Sequence, residues 1–253
     1  MIDVHCHLND PCFDETRREI IEKTKKEFKY VVDSGASFEG NNRSLELYKN
    51  ENGFVQTTMG YHPIYASTKT DEQMQIVINQ IIENIDTICA IGEIGLDFSK
   101  NYSTEEIDRQ YHAFERFLKL AVEYDKPVVL HVREAEQQGL EVLKKYPEIP
   151  NVIFHSFSGT KITAMEAVDY GYFLSFSTNA LFSKKHKKNL KSVPLENMLT
   201  ETDSPYLSPV KGEDNQPLNL KRTIERIERT KKISFDEIES QTEKNAMKIY
   251  NLK

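Results

Sequence analysis

His5 and His7 stand two residues apart in a short apolar run close to the first residue of the chain. Side chains alternate along a strand, so both imidazoles would point one way while Cys6 faces opposite. Two imidazoles converging like this suit one metal ion. The plainer reading is a pair of polar residues on an inward face. It would need a partner for every ring nitrogen.

Further candidates fall where other apolar runs end. Glu93 lies in Gly92-Glu93-Ile94-Gly95-Leu96-Asp97, His131 in Leu130-His131-Val132-Arg133, His155 in Phe154-His155-Ser156-Phe157, and Asp203 in Thr200-Glu201-Thr202-Asp203-Ser204-Pro205. One strand-end histidine is commonly a hydrogen-bonded structural residue. Four imidazoles and two carboxylates meeting on one rim are different. They would repel or go unpaired unless cations held them.

What could bring them together is the alternation of elements. Strands are expected at residues 2–7, 30–33, 54–59, 87–92, 128–132, 152–155, 172–176 and 197–200, with Glu93 closing the fourth. Amphipathic segments separate them. The clearest covers residues 105–124, where Ile107, Tyr111, Phe114, Leu118 and Ala121 recur at helical spacing. Ser103 and Glu106 offer a capping box for its start. Thr70 and Ser234 open similar segments. Strands alternating with helices argue for parallel pairing through right-handed crossovers. Eight of them fit a TIM-type (β/α)8 barrel, whose strand C-termini share one rim. An open doubly wound sheet is the competing architecture, but no glycine-rich dinucleotide loop follows the first strand. The 253 residues are expected to form one domain, 1–253, with no internal repeat or linker. Residues 208–217 read as a surface loop.

Composition narrows the function. Hydrophobic residues are 38% and charged residues 29% of the chain, which can bury a core without disulfides or a structural metal. A net charge of −7 argues against a protein that coats nucleic acid through its global field, but not against a nuclease with a local site. Three cysteines, Cys6, Cys12 and Cys89, cannot all pair, and are read as reduced, mostly buried thiols of a cytoplasmic protein. No signal peptide, membrane span or organic cofactor is expected.

These motifs together make the chain resemble the TatD-related deoxyribonucleases, a branch of the amidohydrolase-like metal hydrolases. The resemblance rests on Asp3-Val4-His5-Cys6-His7-Leu8, Gly60-Tyr61-His62-Pro63, Leu130-His131-Val132-Arg133-Glu134-Ala135 and the Glu93, His155 and Asp203 segments, and it spans almost the whole chain. It implies a two-metal hydrolase acting on DNA, on single strands or frayed ends. His5, His7 and Asp203 would hold one ion, His131 and His155 the other, and Glu93 would bridge them. Glu201 would orient Asp203 or a water, and His62 would reach the scissile phosphate. Two such ions lower the pKa of a shared water, from about 15.7 toward neutrality. Zinc, magnesium and manganese all suit this donor set. Relatives often carry tyrosine where this chain has Phe98. Another metal hydrolase, acting on an amide, ester or lactone, and a non-catalytic metal-binding scaffold are the alternatives.

Contacts beyond the metals are less defined. Arg133 shares a strand face with His131 and would clamp phosphate or sit in a surface salt bridge. Tyr61, Tyr65, Phe98 and Tyr102 are rim aromatics that could stack on bases or pack as lids. Lys184, Lys185, Lys187 and Lys188 form a basic run, read as a solvated helix face or as a phosphate-backbone contact. His186, inside that run, is expected to be exposed. His112 lies off the main stripe of its helix, and oligomeric state is not legible.

Overall fold

The computed structural model describes residues 1–252. Eight parallel strands follow one another in sequence order around a single sheet: β1 (Ile2–Cys6), β2 (Tyr30–Ser34), β3 (Val55–Met59), β4 (Ala90–Asp97), β5 (Val128–Arg133), β6 (Val152–Phe154), β7 (Phe173–Phe176) and β8 (Met198–Thr200). Ten α-helices connect them or follow the last: α1 (Arg17–Thr24), α2 (Phe38–Asn50), α3 (Pro63–Ala66), α4 (Asp71–Glu83), α5 (Thr104–Glu123), α6 (Glu136–Leu143), α7 (Lys161–Asp169), α8 (Lys184–Ser192), α9 (Leu220–Lys231) and α10 (Phe235–Ile249). This is the (β/α)8 barrel expected from the alternation.

The barrel closes between its first strand and the chain just after its last. Asp203 N–H donates to the His5 carbonyl at 3.0 Å, and His7 N–H donates to the Ser204 carbonyl at 2.6 Å. The buried Asp3 carboxylate ties the same seam, accepting from the Thr202 N–H at 3.0 Å and from the Thr202 hydroxyl. Backbone bonds that close the barrel therefore also set His5, His7 and Asp203 beside one another.

Helix boundaries follow their caps. Ser103 and Glu106 form the reciprocal capping box that starts α5, and Thr70 with Gln73 starts α4 in the same way. Ser234 caps α10 through the Glu237 N–H. α5 buries Phe114, Phe117 and Leu118 and packs against β4, whereas Ala246 and Ile249 of α10 join an apolar cluster at the base of the barrel.

This separate apolar cluster also includes Val32, Ala90, Val129, Ile153, Phe173 and Leu199. Side chains from strands around the whole sheet can touch one another only inside it. Two residues further along β5, β6 and β8, on the same strand face, come His131, His155 and Glu201. The apolar layer is thus the floor on which the polar site stands.

Three expectations need correction. The fourth strand starts later and runs further than expected, to Asp97, so Glu93 lies within it. Its pairing with β5 shifts register between Ile91 and Ile94 and then resumes, from Ile94 opposite Leu130 to Asp97 opposite Arg133. His186 is buried, not exposed, because the helical period sets it with Asn189 and Leu190 on the inner face of α8. Of the three free thiols only Cys6 is fully buried. Cys12 is exposed and Cys89 partly so.

Gly95 is the resumed strand's sensitive point. Its φ is +145°, and a Cβ there would stand 2.1 Å from the His131 carbonyl oxygen. Gly95→Ala is expected to lower unfolding stability by about 1–3 kcal/mol from backbone strain alone, and by more if the clash with β5 is not relieved. Urea denaturation of the two proteins checks this.

Candidate active site

The barrel rim gathers His5, His7, His62, Glu93, His131, His155, Glu201 and Asp203. His5 Nε2 and His7 Nε2 are 3.2 Å apart. Glu93 lies among the rings with its two oxygens facing different partners. Its Oε2 is 3.7 Å from His5 Nε2 and 3.8 Å from His7 Nε2. Its Oε1 is 2.8 Å from His131 Nδ1, 3.7 Å from His155 Nε2 and 3.8 Å from His62 Nε2. Asp203 Oδ1 stands 3.5 Å from His7 Nε2, 3.8 Å from His155 Nε2 and 3.9 Å from His5 Nε2. Asp203 has φ +61°, a conformation that aspartate tolerates better than most residues. The rings of His5 and His155 stack, with centroids 3.7 Å apart.

Each ring is aimed by the atom on its other side. His7 Nδ1 is 2.8 Å from the Ser34 carbonyl and must donate to it, which leaves Nε2 for the cluster. His5 Nδ1 meets the Ser34 hydroxyl at 3.1 Å. His155 Nδ1 lies 2.8 Å from Glu201 Oε1, which also accepts from the Ser156 N–H. His131 is turned the other way. It offers Nδ1 to the cluster, and its Nε2 is 3.1 Å from Asp97 Oδ2. A carboxylate or carbonyl behind an imidazole is how proteins fix the tautomer of a metal-binding histidine.

His62 differs in kind. Its Nδ1 accepts from the Ile64 N–H at 3.1 Å, where it caps α3. The lone pair on Nδ1 is therefore engaged, and in the neutral ring the proton must sit on Nε2. His62 thus presents a donor to the site, not a lone pair.

The electrostatics follow from burial and crowding. Burial works against the charge on Glu93, but the rings of His62, His131 and His155 outweigh it and hold this carboxyl well below the usual range. Burial likewise opposes a charge on His7, yet Asp203 and Glu93 push it up to about 9. Burial opposes one on His155 as well, and Glu201 and Asp203 push that ring up to about 10. Burial, with His155 next in effect, keeps His5 well below the usual histidine range. His62 is held down to about 3 by burial and then by His131, so it is neutral near pH 7.

Two groups of side chains bring ligand-type atoms together, His5 with His7 and Glu93, and His131 with Glu93 and, beside them, His62, whose protonated Nε2 makes it a donor there and not a ligand. Glu93 belongs to both. A third set joins His5 with His155 and Glu201. The donor chemistry fits divalent metal: imidazole nitrogens and carboxylate oxygens converge, and the buried carboxylates that favour a positive charge on His7 and His155 would favour a cation in the same place.

The whole chain points the same way. Residues 2–251 match the model of the TatD related DNase family. The chain belongs to that family. It is 41% identical over 98% of its length to an uncharacterized metal-dependent hydrolase of Methanocaldococcus jannaschii, covering 96% of that protein. It is 34% identical over 99% of its length to the human deoxyribonuclease TATDN3, covering 94% of it. The crystal structure of the Escherichia coli TatD homologue YJJV superposes with a TM-score of 0.92 at 25% identity, over 100% of this chain and 98% of that one. As a TatD-family protein, the chain is a metal-dependent hydrolase.

The substrate side is less complete. Arg133 is exposed at the end of β5 and forms no ion pair among the described residues. Tyr65 is partly exposed beside the buried Tyr61. Phe98 instead packs on the core, with its ring 6.0 Å from that of Tyr111. The exposed His112 is 3.8 Å from Asp71 and outside this cluster. Asp97, Asp3 and Ser34 were not singled out from the sequence. Asp97 lies four residues after Glu93, and Asp3 two before His5, so strand alternation could have found both. Ser34 carries no such signal.

Proposed function

We propose that this protein hydrolyses phosphodiester bonds in DNA, acting on single strands or frayed ends with two divalent ions at the barrel rim. The observation that supports it best is the division of the cluster by Glu93, with one oxygen toward His5 and His7 and the other toward His131 and His155. His5, His7 and Asp203 would hold one ion, His131 and His155 the other, with Glu93 between them. Such ions polarise phosphoryl oxygens and make a bound water acidic enough to attack at neutral pH.

The chain's own groups do the rest. Asp203, buried beside three imidazoles, accepts the proton of the attacking water. Glu201 and Asp97 hold the rings of His155 and His131 in place. His62, neutral and protonated on Nε2, donates a hydrogen bond to a phosphoryl oxygen, where charge builds up during attack. Arg133 and Tyr65, both exposed to solvent, are the remaining expected substrate contacts. Zinc, magnesium and manganese remain the candidate ions.

The reading is tested with end-labelled single-stranded DNA beside a small ester and a cyclic amide. DNA cleavage that needs added metal supports it. Turnover of only the small substrates overturns it. His62→Ala is expected to lower kcat on DNA by about 100-fold, as loss of one well-placed donor does, while titrated metal affinity stays close to that of the parent.

A further inference from the structure

The two most exposed large hydrophobic side chains are Ile162, 80% exposed, and Phe182, 65% exposed. They are far apart in sequence but belong to neighbouring elements. Ile162 is in the first turn of α7, and Phe182 stands just before α8, whose body packs against α7. Both helices begin at the ends of β6 and β7, which is the rim that carries the site. The turn after β7 is tied to the loop that follows Asp203, through the Thr178 hydroxyl donating to the Leu207 carbonyl. α8 is braced against the loop after His155, through Asn189 Nδ2 donating to the Gly159 carbonyl at 2.9 Å.

The charges around this apolar pair are unusual. α8 carries lysine at 184, 185, 187, 188 and 191 and has no acidic residue in its first turn. None of these lysines forms an ion pair among the described residues, although the chain as a whole is acidic. Lys184 and Lys185 face the positive end of their own helix dipole. Lys184 with Lys188, and Lys187 with Lys191, are like charges at i, i+4, which weaken a helix. Only Lys191, in the last turn, suits the dipole; for Lys184, Lys185, Lys187 and Lys188 a bound polyanion would offset the local repulsion. An exposed aromatic beside the lysines adds what a simple phosphate site would not need, a face on which a base can stack.

We propose that Phe182 and Ile162, flanked by Lys161, Lys184, Lys185 and Lys188, form a track for the unpaired nucleic-acid strand next to the scissile phosphate. Bases pack on Phe182 and Ile162, and successive phosphates lie along the lysines of α8. The proposal rests on the phosphodiesterase reading above, and it makes the substrate a strand of several nucleotides, not a dinucleotide or a small ester. The buried face of α8, with His186 and Leu190, keeps the lysines turned outward.

The test compares the metal-loaded parent with Phe182→Ala and with Lys184→Glu/Lys185→Glu/Lys188→Glu. Binding of a fluorescent thymidine oligonucleotide with non-hydrolysable linkages is measured against salt. The ratio of kcat/KM for an oligonucleotide to that for a dinucleotide is measured alongside. Phe182→Ala is expected to weaken strand binding about tenfold, the loss of one stacked base. The charge reversal is expected to cut the slope of log affinity against log salt by about 2, for three lost phosphate contacts on a single strand. In both variants the oligonucleotide-to-dinucleotide ratio should fall by at least the same factor as binding. Unchanged affinity, slope and ratio in both variants overturn the track. If the parent cleaves a dinucleotide as well as any longer strand, the track fails while the phosphodiesterase reading stands. If the parent cleaves no phosphodiester, that reading fails, and the oligonucleotide binding data still decide whether the track exists.

Discussion

Asp203→Asn is expected to reduce DNA hydrolysis by about 1,000-fold or more with little change in fold, the range associated with losing a general base. The side chain keeps its shape, and the backbone bond from Asp203 N–H to the His5 carbonyl survives, so the seam of the barrel stays closed. What disappears is a negative charge within 4 Å of three imidazoles. On the proposed mechanism a proton acceptor and a metal ligand go together. Glu93→Gln should be at least as severe, because Glu93 faces both halves of the cluster. An amide cannot offer an anionic oxygen to each side. Circular dichroism and single-turnover cleavage of labelled DNA check both variants. If either kept near-parental activity, these residues would not do the chemistry assigned to them.

The sequence revealed the site's members better than their arrangement. Alternation in β1 is enough to pair His5 with His7, because a strand has only two faces. The rim follows from parallel connectivity, which brings residues almost two hundred positions apart, such as His5 and Asp203, to one place. Other features depend on atoms that no spacing encodes. A bridging Glu93 is expected only from the family resemblance, and the register shift of β4 beside it has no signal in the composition. The orientation of His62 depends on one backbone N–H, that of Ile64. The burial of His186 was missed because a run of lysines looked uniformly solvated, although residues 186, 189 and 190 share a helical face. Phe98 looked like a rim aromatic but sits against Tyr111, whereas Phe182, not singled out from the sequence, is the aromatic left open. Exposure is settled by what packs nearby, and that is a property of the whole fold.

Stripping the metals is expected to abolish hydrolysis, and the histidines predict how reloading depends on pH. In the metal-free protein His7 titrates at about 9 and His155 at about 10, so both are protonated at pH 7. Each must lose its proton before Nε2 can bind a cation, so loading at pH 7 should release about two protons per molecule. Calorimetric titration with zinc, manganese or magnesium in buffers of different ionisation enthalpy measures that number. It should fall, and affinity should rise, as pH approaches 10. Stability gives an independent reading. Both rings are raised above the ordinary histidine value of 6.5, so the stability they give the metal-free fold is complete below that pH and is lost as pH climbs through about 9 to 10. His5 and His62 are held below the ordinary value and act only on the acid side. Asp3, pushed up to about 8 by burial, adds a loss between the usual carboxylate range and pH 8 that is common to both forms. The metal-loaded protein, with its ligands already neutral, should therefore keep its melting temperature between pH 8 and 10 while the stripped protein loses stability. Parallel melting curves for the two forms would show that His7 and His155 do not exchange a proton for a metal.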